Sequence, residues 1–201
     1  MDITNIMYKL PNSRLGFTLL ELIVVIAIAS ILLGIAIPSF TSIIRSTRLT
    51  TYTNDFVTAL NLARSEAIKR GVSVTVRKLG SNWENGWNVF ADSNSDGVFD
   101  SSEVLIRTYS SLQSTFYTLR GDSNFTDFIR YKSDGSSNNL NVGGFVLCDN
   151  RDGNNIPEAN TAKLLTVNLT GRVHIGIDSD KDGIPETEDG AEITSCITSP
   201  F

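Results

Sequence analysis

The chain changes its hydrophobic rhythm twice. From Phe17 to Phe40 it reads FTLLELIVVIAIASILLGIAIPSF, twenty-four residues with almost nothing polar. As a helix this run would be about 36 Å long, enough for the hydrocarbon core of a bilayer. It is too long and too uniform for the apolar region of a signal peptide. Beyond it, Phe40, Ile43, Ile44, Leu49, Tyr52, Phe56, Leu60, Ala63 and Ala67 recur at helical spacing. That stripe predicts an amphipathic second half of the same helix, ending near Arg70, with one face for a sheet. Glu66 and Arg70 stand at an i,i+4 offset, Lys69 and Arg70 suit a helix C-terminus, and Gly71 supplies a stop. After Gly71 the period falls to two: Val72, Val74 and Val76 alternate with polar residues, as in a strand. Further strands are expected at 87–91, 104–109, 128–132, 144–148, 164–169 and 172–177, with Thr170-Gly171 as a tight hairpin turn. Residues 133–143 and 149–162 read as loops. One long N-terminal helix followed by many antiparallel strands predicts an α+β fold.

Composition narrows the function classes. The 201 residues suit one domain with an appendage. Twenty-two acids against seventeen bases leave a net charge of −5, which argues against a general nucleic-acid binder. A single histidine excludes a histidine metal cluster and leaves little scope for a Ser-His-Asp triad. Two cysteines exclude a disulfide-dense miniprotein and a four-cysteine zinc site. There is no paired nucleophile and base, no phosphate-cradling glycine loop and no zinc spacing. The expectation is a protein that is not an enzyme, with a membrane-anchored exported enzyme as the last-ranked alternative.

One charge stands out inside the apolar run. A carboxylate at Glu21 costs a few kcal/mol in a membrane span unless it is paired or neutralised. The next base downstream is Arg45. The plain alternative is a glutamate that snorkels to the headgroups; the functional one needs a cation supplied from elsewhere. Upstream, Lys9 and Arg14 against Asp2 give the flank a net +1, which orients the N-terminus to the cytoplasm and exports the C-terminal domain.

The residues around that charge carry a resemblance. Gly16-Phe17-Thr18-Leu19-Leu20-Glu21, followed by an apolar helix, resembles the class III leader junction of type IV pilins and type II secretion pseudopilins. The resemblance implies that a prepilin peptidase cuts between Gly16 and Phe17 and N-methylates Phe17. The new amine would then supply the cation for Glu21, commonly from a neighbouring subunit. Pro38 matches the helix-kinking proline of the family, and an interior proline does bend a helix. Leu62-Ala63-Arg64-Ser65-Glu66-Ala67-Ile68-Lys69-Arg70-Gly71 resembles the helix end of the GspH/FimT branch. Gly86-Trp87-Asn88-Val89-Phe90 with Asp92 and Asn94 is similar to its next strand and turn. So is the later order of a cysteine strand, the turn Thr170-Gly171-Arg172 and a terminal cysteine.

From this follow a type IV pilin-like fold and its divisions. Residues 1–16 are a removable leader, 17–40 a transmembrane and assembly helix, and 41–201 an exported globular domain. Within that domain 41–70 is the second half of the helix and 72–201 is β-rich. The function implied is that of a minor pseudopilin or minor pilin in the tip or initiation complex of a type II secretion pseudopilus or type IV pilus, supporting secretion or pilus biogenesis. A calcium- or DNA-binding module at a filament tip is the alternative. Its partners would be other pilins along the N-terminal helix, the prepilin peptidase, an inner-membrane assembly platform, and lipid before assembly. The expected location is the bacterial inner membrane, single-pass, with the domain periplasmic.

Cys148 and Cys196 are the only cysteines, and an exported domain meets an oxidising compartment. A disulfide between them would close a loop of about 50 residues and contribute several kcal/mol; two buried free thiols are the alternative.

Two acidic loops carry the ligand signal. Asp92, Asn94, Asp96, Gly97, Asp100 and Glu103 hold positions 1, 3, 5, 6, 9 and 12 of the calcium-loop spacing. Asp178, Asp180, Asp182, Gly183, Glu186 and Asp189 repeat it with aspartate last. Calcium takes hard oxygen ligands at such alternating positions, and would be the ligand of either loop; it is not a required cofactor. The flanks read as strands, which argues against an EF-hand, and solvated Gly/Asx turns are the bland alternative. Some FimT-like pilins follow the turn with GRxR, a pattern linked to DNA uptake. Here Gly171-Arg172-Val173-His174 lacks the second arginine, and four bases face ten acids from residue 140 onward. Arg172 alone is a weak DNA contact.

Overall fold

The computed structural model describes residues 16–113, 115–138 and 142–197. The expected leader, residues 1–16, lies outside the described residues apart from Gly16. The chain divides into two compact units, one up to Ser42 and one from Ile43 onward.

Helix α1 is continuous from Leu19 to Arg70, 52 residues, and its assignment runs through Pro38. In the first unit its apolar side chains are exposed all round, and Ile23, Val24, Ile31 and Ile35 alike face the surroundings. Ser30 returns its hydroxyl to the carbonyl of Ile26 at 2.7 Å. A polar group that satisfies itself on its own helix is compatible with lipid.

Of the expected stripe, Leu49, Phe56, Leu60, Ala63 and Ala67 are fully buried and Tyr52 partly so, whereas Phe40, Ile43 and Ile44, expected on the same core face, are exposed because no strand reaches that part of α1. Two four-stranded antiparallel sheets meet the buried stripe. The first contains β1 (Val74–Lys78), β2 (Trp87–Ala91), β3 (Val104–Tyr109) and β5 (Phe128–Tyr131), in the order β3-β2-β1-β5. The second contains β4 (Tyr117–Gly121), β6 (Gly143–Asp149), β7 (Ala162–Val167) and β8 (Val173–Ile175), in the order β4-β6-β7-β8. Phe56 joins the layers: its ring meets Trp87 of the first sheet at 4.9 Å and Phe145 of the second at 4.7 Å, both edge-to-face. Such pairs add to the stabilisation from buried area.

Local expectations shift at several strand ends, and the strand expected at 172–177 is only Val173–Ile175. The strand expected at 164–169 is Ala162–Val167, because the turn is longer than Thr170-Gly171. Asn168 accepts the amide of Gly171 on its backbone oxygen at 2.9 Å, and its side chain accepts the amide of Arg172 at 3.0 Å. The first strand starts at Val74 because Gly71 ends α1 with φ +67° and Val72 stays outside the ladder. Strand β4 and the 3₁₀ turn Trp83–Asn85, which buries Trp83, have no counterpart in the sequence reading.

Strand β6 is buried on both faces. Phe145 and Leu147 join the main core, whereas Val146 and Cys148 form a second cluster with Ala162, Leu164, Ile193 and Cys196. The C-terminal arm therefore covers the outer face of the second sheet.

Candidate functional site

At the start of α1, Gly16 has open space around it and Phe17 is exposed. Thr18 and Glu21 form a reciprocal cap. The Thr18 hydroxyl accepts the Glu21 amide at 3.1 Å, and the Glu21 carboxylate accepts the Thr18 amide at 3.5 Å. This is the Thr-x-x-Glu capping box, which satisfies two amides that a helix start leaves open. The sequence reading sought a cation for Glu21; the neighbouring amide escaped it, although the spacing was visible. α1 passes through Pro38, the expected assembly position.

Cys148 and Cys196 are joined as a disulfide with Cα atoms 5.8 Å apart, across 48 residues. It ties the C-terminal arm to β6.

The two acidic loops differ. In the first, Asp92 is fully buried and its carboxylate serves the fold. It accepts the Thr75 hydroxyl at 2.6 Å and the amides of Asp96 and Gly97 at 3.1 Å each, with the Arg130 guanidinium at 3.6 Å. Arg130 and Arg77 also donate to the carbonyls of Ser95 and Gly97. Asn94 and Asp96 bond each other and the loop amides. Asp100 is held below the usual carboxylate range by the Ser102 hydroxyl and amide. Glu103 accepts the amides of Ser93 and Asp100, while burial and the charges of Asp92 and Asp100 push its carboxyl up. Among the described residues no three carboxylates of this loop converge. Arg130 already stands beside the Asp92 carboxylate, and Arg77 takes the Gly97 carbonyl.

The second loop does converge. Oxygens of Asp178, Asp180 and Glu186 lie within 4.8 Å of one another, and so do those of Asp180, Asp182 and Glu192. Glu186 is held below its ordinary range first by the Ser179 amide, at 2.8 and 3.1 Å from its two oxygens. Asp178 accepts the Gly183 amide at 2.9 Å through Oδ2, while its Oδ1 is shielded from solvent with no hydrogen-bond partner. Asp189, expected at the last ligand position, instead bonds the Thr187 hydroxyl, which keeps its carboxyl low. Glu192 comes in its place because the chain folds back: Glu186 pairs with Glu192, and Thr187 bonds Ala191. A twelve-residue spacing template ends before Glu192 and could not find it.

Arg172 is exposed beside the turn, and His174 is exposed on β8, 3.4 Å from the Asn168 side chain. The structure also assigns a role to Arg64 that the sequence left unread. Its guanidinium donates to the carbonyl of Gly135 at 2.9 Å and to that of Thr170 at 3.2 Å.

Two family patterns match the chain. Residues 52–171 match the family described as type II transport protein GspH, and residues 11–37 match the prokaryotic N-terminal methylation motif. No curated protein matches. Among solved structures, the type IV minor pilin FimU of Pseudomonas aeruginosa is similar in fold. One crystal form gives a TM-score of 0.53 at 16% identity, covering 75% of this chain and 96% of that one. A second form gives 0.49 at 16% identity, covering 65% and 94%. With the GspH pattern spread over most of the domain and the methylation motif ahead of it, the chain belongs to the GspH family of pilin-like subunits.

Proposed function

We propose that this chain is a low-abundance subunit of a pilin-like filament, cut between Gly16 and Phe17, methylated on Phe17, and assembled through α1. One observation carries the reading: the apolar half of α1 is exposed on every side. Such a surface is stable in lipid, and can exchange lipid for the helices of neighbouring subunits. Glu21, near its start, would pair with a processed amine and set the register. The partners in this reading are a prepilin peptidase, an assembly platform in the inner membrane and other pilins. Lys9 and Arg14 favour a cytoplasmic N-terminus and an exported domain. The role is structural, with no catalytic step. Mass spectrometry of the mature protein tests it: an N-terminal methyl-phenylalanine at position 17 is expected, and retention of residues 1–16 would overturn it. Loss of secretion on deletion would mark a secretion pseudopilus, and loss of pili a type IV minor pilin.

A second reading concerns the C-terminal arm. Convergence of Asp178, Asp180 and Glu186, with the unpartnered oxygen of Asp178, favours a calcium ion there. Titration of the domain with calcium tests it; absence of both heat and a melting shift at millimolar concentration would remove it. DNA is disfavoured, because from residue 140 onward four bases, Arg172 among them, face ten acids.

A further inference from the structure

The described residues hold one cationic patch that neither filament assembly nor the acidic loops employ. It lies where α1 enters the second unit. Arg45 and Arg48 are both exposed, and among the described residues neither guanidinium has an ion pair or hydrogen bond. Arg151 comes to the same end of the domain. Its guanidinium lies over the rings of Phe116 at 5.4 Å and Tyr117 at 5.8 Å. It donates to the Tyr117 hydroxyl at 3.1 Å, and that hydroxyl donates to the carbonyl of Arg45 at 3.5 Å. Asp149 balances Arg151 at 3.0 Å, so the uncompensated charge belongs to Arg45 and Arg48. Exposed apolar side chains accompany these cations: Ile43, 57% exposed, and Ile44, 50%, precede Arg45 on α1, and Phe116, 46%, lies under Arg151.

We propose that this patch is a docking surface for the headgroups of anionic phospholipids, a proposal that rests on the membrane reading above. Three arguments select lipid as the occupant. The apolar run ends at Phe40, and Arg45 and Arg48 follow by five and eight residues, so both remain within reach of the headgroup layer at whatever angle the domain stands. The chemistry agrees: guanidinium groups bind phosphodiester oxygens in a bidentate manner, and aromatic rings beside cations occupy the membrane–water interface. The charge is also opposite to that of the chain, which is −5 overall. Arg45 and Arg48 take the phosphates, Arg151 is held in place by stacking, and Phe116, Ile43 and Ile44 cover the glycerol level. The domain is thereby seated on the bilayer until a filament draws it off.

The test uses the full chain carrying Phe116→Trp, reconstituted in phosphatidylcholine vesicles with or without phosphatidylglycerol and containing a headgroup-spin-labelled lipid. Trp83 and Trp87 are buried, and the parent chain supplies their background. The added tryptophan should be quenched strongly only when phosphatidylglycerol is present. Arg45→Glu with Arg48→Glu should return it to the phosphatidylcholine level, as should high salt. Equal quenching in both lipids, quenching indifferent to the double substitution, or reversal by inorganic phosphate at an ionic strength where chloride has no effect would overturn the proposal. Alkaline extraction separates the two readings: a chain released from the vesicles refutes the membrane anchor, whereas a chain retained but unquenched refutes this surface alone.

Discussion

The guanidinium of Arg64 holds the carbonyl of Thr170 from 106 residues away. Two segments that look independent in the sequence, the Ala-Arg-Ser-Glu-Ala helix end and the Thr-Gly-Arg turn, are therefore one junction. Gly135 completes it with a second carbonyl to Arg64 at 2.9 Å. Gly171 has φ +74°, and a Cβ there would lie 2.2 Å from the Gly135 oxygen, so only glycine fits. Arg64→Ala should destabilise the domain by about 2 kcal/mol, since it strands carbonyls that charged donors satisfied. Gly171→Ala should cost at least as much, while Arg64→Lys recovers part of the loss. Chemical denaturation midpoints check the series; an Arg64→Ala domain as stable as the parent would refute the junction.

The Thr18–Glu21 cap separates two roles of one carboxylate. If Glu21 only caps α1, then Thr18→Ala and Glu21→Ala should impair assembly alike, each through loss of about 1 kcal/mol of helix stability. If Glu21 also meets a processed amine, Glu21→Ala should abolish incorporation and Thr18→Ala should leave most of it. We expect the second pattern, with leader cleavage intact in both. Immunoblots of sheared filaments and of the membrane fraction read the two steps separately.

The Cys148–Cys196 disulfide should hold the C-terminal arm against β6. Replacing both cysteines by serine is expected to cost about 2–4 kcal/mol. It should also expose Val146 and Leu164, which the arm covers, and open the arm to protease well before the rest of the domain. Limited proteolysis with mass spectrometry locates the first cut. A first cut in β1 or β2 would mean that the arm is held by other contacts.

What the sequence made legible follows from period and burial. The continuous run and the stripe from Leu49 to Ala67 marked α1, and β2 and β3 occupy the residues their alternation named. Strand β4 was hidden because only Tyr117 and Leu119 face the core, while Thr118 and Arg120 make the segment read as polar. The division into two sheets was equally hidden, since alternation marks a strand and not its neighbours. At the candidate sites, two cysteines in a domain expected to be exported pointed to the disulfide that the structure contains. Spacing alone could not separate the acidic loops, because both fit the same template. Thr75, Arg77 and Arg130, which bind the first loop, are remote in sequence and absent from any local pattern.

That difference between the loops gives the last prediction. Calcium should raise the melting temperature of the domain, by the equivalent of about 2.7 kcal/mol at a hundredfold excess over its dissociation constant. Asp180→Asn and Glu186→Gln should each suppress the shift, because Asp180 belongs to both convergent groups and Glu186 is the buried member of one. Asp92→Asn should lower stability without calcium and leave the calcium shift in place, since Asp92 serves amides, Thr75 and Arg130. The pH dependence has a fixed sign. Glu186 and Asp189 are held below their ordinary values, first by the Ser179 amide and the Thr187 hydroxyl respectively, so they favour the fold above the unfolded carboxylate range. That contribution fades as pH falls through the lowered values. Calcium requires the same ionised carboxylates, so its shift should vanish over the same acidic window. Scanning calorimetry at neutral and acidic pH, with and without calcium, reads both effects. A shift that survives Glu186→Gln but is lost in Asp92→Asn would move the ion to the first loop.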